Sequence, residues 1–67
     1  MIDDKVKGFL RNARDAKTLE ECRVLRERAN AELDTRASVG FACLVAIRVR
    51  EDAIIDQYKF DIANEAP

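Results

Sequence analysis

The chain has 67 residues, of which 48% are hydrophobic and 37% charged, with a net charge of −1, two cysteines and no histidine. That length allows one domain near the lower limit for a self-sufficient core, a size at which chains commonly lean on disulfides, a metal or a partner surface. The missing histidine and the cysteine count argue against a zinc site of ordinary ligands, and the balanced charge argues against nucleic-acid binding by bulk electrostatics, leaving only a local patch.

The first residues, MIDDKVKG, carry acids and no apolar core of a signal peptide, so no secretory signal is expected and the cytoplasm is the expected compartment. Ile2, Val6, Phe9, Leu10, Ala13 and Ala16 recur at i, i+3, i+4 spacing and predict a helix over about 4–16. Asp3 and Asp4 suit its positive end, Arg14 and Lys17 its negative end. Lys7, Arg11 and Arg14 align as a basic stripe on its outer flank. Such a stripe is commonly a solvated face; the sharper reading is a contact with phosphate or an acidic partner.

Thr18, Leu19, Glu20 and Glu21 form a capping box: the Thr18 hydroxyl can accept from the Glu21 amide, and the Glu21 carboxylate can reach back to Thr18. A second helix over about 19–33 follows, with an apolar stripe of Leu19, Cys22, Leu25, Ala29 and Leu33. Arg23 with Glu27 and Arg28 with Glu32 are i, i+4 pairs. Val24 lies off the stripe near Ala31 and weakly signals a second contact surface. A short turn at 34–36 follows, with Asp34 or Thr35 as candidate cap of the third helix. So short a connection makes the second and third helices antiparallel neighbours or sharply crossed ones.

The stretch 37–58 holds the densest apolar run. Read with period two, Val39, Phe41, Cys43, Val45, Ile47 and Val49 fall on one side, a strand signal. Read with period 3.6, Cys43, Leu44, Ile47, Ile54, Ile55, Tyr58 and Ile62 gather on one face. No second strand-like run exists, and alternation collapses after Arg50, so one long helix over about 36–58 is expected, its first half covered on more than one side. Gly40 near its start marks a close approach or a mild bend. The uncharged run is about half of the roughly 20 residues a bilayer span needs, so no membrane crossing is expected. After Tyr58 the periodicity weakens. Phe60 and Ile62 are expected to pack back as a short fourth helix or turn, and 64–67 to fray.

The expected fold is therefore all-α, a small bundle of three main helices in a single domain. Cys22 and Cys43 sit on apolar faces and read as buried thiols in a reducing compartment, with a disulfide between the second and third helices as the alternative. No histidine base or glycine-rich phosphate loop exists. The paired acids Asp3/Asp4, Glu20/Glu21 and Glu51/Asp52 point about 100° apart on their helices. No enzyme, cofactor, metal or small-molecule substrate is expected. Protein binding or self-association is expected instead, with Arg48, Glu51, Asp52 and Ile55 as the candidate partner-binding residues. Glu51 falls inside the apolar stripe of the long helix. Either it reaches solvent or Arg48, or that face is an interface where it meets a basic residue of a partner, since a buried unpaired carboxylate is costly.

Laid out this way, the chain resembles the Hha/YmoA family of small enterobacterial expression modulators. An ungapped overlay covers about 8–63. Leu10, Arg14, Thr18, Glu27, Glu32, Leu33, Phe41, Arg48, Glu51 and Tyr58 agree with the family, and Phe9, Leu19 and Leu25 match in kind. The resemblance implies a single helical domain that binds the oligomerisation domain of an H-NS-like nucleoid protein and modifies its silencing. The family's acidic residue in the middle of the third helix falls on Ala46. Its arginine-rich first helix keeps only Arg14, with Asn12 and Asp15 at the other positions. Glu51, Asp52 or the Lys7/Arg11 stripe are the candidates to take over those contacts. The alternative from a different class is a self-assembling or chaperone-like helical accessory protein, of phage or secretion type.

Overall fold

A computed structural model describes residues 4–65. Within them the chain forms three helices and no strand: α1 (Asp4–Asp15), α2 (Leu19–Glu32) and α3 (Ser38–Glu65). Ile2 and Asp3, assigned above to the first helix, and 66–67 lie outside the described residues. α1 buries Val6, Phe9 and Ala13, with Leu10 half-buried beside them. Ala16 ends just beyond the helix, its amide 3.4 Å from the Ala13 carbonyl.

α2 opens on the expected cap. Thr18 is extended (φ −131°, ψ 158°) and its Oγ1 accepts from the Glu21 amide at 3.1 Å. The return bond differs by one residue, because Glu21 Oε2 accepts from the amide of Lys17, not Thr18, at 3.0 Å. Cys22, Leu25 and Ala29 are buried, and the Leu33 amide closes the helix on Ala29. Arg28 pairs with Glu32 as expected. Arg23 keeps the expected ion pair with Glu27, at 3.9 Å, and also bonds both carboxylate oxygens of Glu20 at 2.5 and 3.2 Å. Val24 is exposed.

The connection to α3 is held by Asp34. Its Oδ1 accepts from the Arg36 amide and its carbonyl from the Ala37 amide. Asp34 thus shapes the turn without capping the helix, and α3 starts at Ser38, later than the expected 36. Gly40 is the close approach. A Cβ there would lie 2.1 Å from the Asp34 carbonyl oxygen and 2.7 Å from its carbon. Only a glycine lets the turn fold down onto the helix at this point.

α3 has 28 residues. At 1.5 Å per residue it is roughly 42 Å long, about twice α1 or α2. Both short helices pack on one side of α3 between residues 40 and 54, where Gly40, Cys43, Ile47 and Ile54 are buried and Leu44 and Ala46 partly so. Two short helices cannot wrap a third, so the expected cover on more than one side is not present: Val39, Phe41, Val45 and Val49 are exposed. Nor is there a fourth helix among the described residues. Phe60 and Ile62 continue α3 itself, and both remain exposed. The overhang gives the molecule its 51 × 19 × 16 Å shape.

Candidate functional site

Two side-chain contacts fix how the short helices straddle α3. Arg50 Nε donates to the Ala16 carbonyl at 2.5 Å, which places the end of α1 on the Arg50 flank. Glu51, about 100° further round the helix, forms an ion pair with Arg26 of α2. The side chain of Glu51 is 16% exposed, that of Arg26 37%. The buried Oε1 has the Arg26 guanidinium as its partner and no further hydrogen-bond donor. Glu51 therefore keeps only a minor part of its side chain in water and pairs with Arg26 rather than Arg48, joining α2 to α3. Arg26 escaped the sequence reading, yet it shows the same signal as Glu51. It stands one turn from both Cys22 and Ala29, a charge inside the apolar stripe of α2. Two opposite charges embedded in facing stripes are a pair in waiting.

The other candidates on α3 stay on the surface. Arg48 Nε lies 3.3 Å from Asp52 Oδ1, both side chains well exposed, and Ile55 is 38% exposed one turn further on. Arg48, Asp52 and Ile55 therefore share one flank of α3, from which Glu51 has been withdrawn. Sequence reasoning placed Tyr58 and Ile62 on the core face. They continue the stripe of Ile47 and Ile54, but α1 and α2 have ended, so they stand 64% exposed. Tyr58 also forms the wall of a notch of about 350 Å³ closed by Lys17, Thr18 and Leu19 of the α1–α2 turn. A second concavity on the same side of the overhang is lined by Arg50, Ile54, Gln57 and Asp61 together with Lys17 and Tyr58.

Lys7, Arg11 and Arg14 lie together on the outer flank of α1 around Leu10. Arg14 contacts Asp15 at 3.4 Å, with both side chains largely in water. The opposite flank of α1 meets α2, where Lys5 approaches Glu32 and the Arg28 guanidinium sits 5.6 Å from the centre of the Phe9 ring. The basic stripe consequently faces away from α2, beside the outer edge of α3. Cys22 and Cys43 are free and buried, and burial pushes both thiols up from their ordinary range. Among the described residues no group of three or more potential metal ligands converges, and no helix is long and apolar enough to cross a membrane. What the surface offers chemically is apolar area with charges at its edges.

Comparison with protein-family models, with curated proteins and with solved structures finds no match in any of the three.

Proposed function

We propose that this protein is a non-enzymatic, cytoplasmic protein-binding modulator whose target is a nucleoid-associated transcription regulator of the H-NS type. The observation that carries the reading is the overhang of α3. The apolar stripe that holds the core together runs on past its own cover as Ile55, Tyr58 and Ile62, beside a notch at the α1–α2 turn. A small domain that leaves a tyrosine and two isoleucines uncovered along one helix presents a groove-and-ridge surface suited to a helical partner. Arg48 and Asp52 at the edge add polar contacts that select among partners more than they add affinity. The resemblance to the Hha/YmoA family supplies the identity of the target, and Arg48 and Tyr58 belong to both arguments.

Purified protein mixed with the isolated oligomerisation domain of an H-NS-like regulator should co-elute with it. Tyr58→Ala with Ile62→Ala should abolish co-elution while leaving helicity unchanged. No complex with the unsubstituted chain would remove the target, and an unaffected complex of the double variant would remove the overhang.

A further inference from the structure

The outer face of α3, turned away from Tyr58 and Ile62, carries a second organised surface. Val39, Ala42, Val49, Ala53, Phe60 and Ala63 line up there. With Ala46 and Asp56 they complete an unbroken alternation of three- and four-residue steps, the spacing of a helix–helix seam. Val39, Val49 and Phe60 are 43, 63 and 62% exposed, and neither α1 nor α2 reaches them. The charge along the chain is also divided. Residues 1–50 hold eleven Lys and Arg against eight Asp and Glu, a net of +3; residues 51–67 hold one Lys against five acids, a net of −4.

We propose that a second copy of this chain covers this face, the two α3 helices packing antiparallel about a two-fold axis near their midpoints. Size matching fixes the register. Phe60 of each copy lies over Ala42 of the other, Val39 meets Ala63 and Val49 meets Ala53, so each large side chain faces a small one. Charge matching fixes the direction. Antiparallel packing sets the acidic half of each α3 against the basic half of the other, whereas parallel packing would oppose like charges and stack Phe60 on Phe60. The single charged seam residue, Asp56, falls opposite Ala46, one turn from Asp52 and on the edge of α3 away from α1. On that edge Arg48 of each copy comes within reach of Asp52 of the other, in place of its own. The same patch serves both copies, so the assembly closes as a dimer. It leaves both overhangs open, and the proposal does not rest on what they bind. A phosphate backbone would satisfy the Lys7, Arg11 and Arg14 stripe but leave Val49 and Phe60 against water.

Analytical ultracentrifugation of the purified chain should show a monomer–dimer equilibrium that weakens as salt is raised. Ala42→Glu, a change at an exposed site, should weaken the dimer tenfold or more without altering the monomer's helicity. Direction is read by cysteine cross-linking, for which the buried native thiols are silent. Val39→Cys mixed with Ala63→Cys should give a disulfide-linked dimer, and neither variant should do so alone. A chain monomeric at all accessible concentrations, a dimer indifferent to Ala42→Glu, or self-linking of Val39→Cys alone would each overturn the proposal.

Discussion

Glu51 is the residue whose surroundings alter most between sequence and structure, and a double-mutant cycle with Arg26 measures what the pair contributes. Its site lies between two limits. A fully buried pair costs about 3–5 kcal/mol when one partner is removed, and a surface pair about 0–1 kcal/mol. With Glu51 at 16% exposure and Arg26 at 37%, solvent screens the arginine end, and about 1–3 kcal/mol per single substitution is expected. The two singles should differ. Arg26→Ala strands a buried carboxylate oxygen with no other donor, whereas Glu51→Ala leaves a guanidinium that can swing into water. Arg26→Ala should therefore be the worse of the two. The coupling energy should be about 1–2 kcal/mol, against no more than about 0.5 kcal/mol for the exposed Arg48–Asp52 pair as control. Urea unfolding followed by far-UV circular dichroism reads these values. With a slope of about 1 kcal/mol per molar urea for a chain this small, the midpoints should move by about 1–3 M. Additive single substitutions, or coupling no larger than that of Arg48–Asp52, would refute the assignment of Glu51 as a clamp between α2 and α3.

Ile47→Ala, at a fully buried site, should cost about 2–5 kcal/mol in the same assay, and Leu44→Ala less, because Leu44 is only partly covered. Thr18→Ala should cost about 1 kcal/mol through loss of the Glu21 amide bond; unchanged stability would place the start of α2 elsewhere. Gly40→Ala drives a methyl into the Asp34 carbonyl and should cost about 1–3 kcal/mol or more, visible as a lowered melting temperature. The Cys22 and Cys43 thiols are pushed up by burial from an ordinary value of 9.0. A raised folded-state value gives stability that is full below pH 9.0 and is lost as pH climbs above it. Unfolding midpoints should therefore fall on the alkaline side, and less so in a Cys22→Ala, Cys43→Ala variant once its cavity cost is subtracted.

The three helices were legible because burial imposes its period on the sequence. Val6, Phe9 and Ala13 on α1, and Cys22, Leu25 and Ala29 on α2, are both the periodic residues and the buried ones. The true end of α3 was not legible for the same reason: beyond Ile54 no residue of α3 is buried, and a helix without a core to face has no period to enforce. Phe60 and Ile62, read as a segment folding back, are apolar on opposite sides of one continuous rod. The stripe through Ile55, Tyr58 and Ile62 could be read, but its exposure could not, since that depends on where two other helices stop. A charge inside a stripe flagged Glu51 correctly as unusual. Finding its partner required setting the stripe of α2 beside that of α3, where Arg26 breaks the pattern in the same way.

The central claim, that the overhang of α3 docks an H-NS-like regulator, is tested most directly by isothermal titration of the regulator's oligomerisation domain into this protein. The unsubstituted chain should bind with a negative heat-capacity change, the mark of buried apolar surface. Tyr58→Ala should weaken binding by about 2 kcal/mol or more, as expected of an aromatic anchor, with no change in the unfolding midpoint, because the side chain lies outside the core. Equal affinity of the Tyr58→Ala variant and its parent, or no heat of binding from either, would contradict the claim.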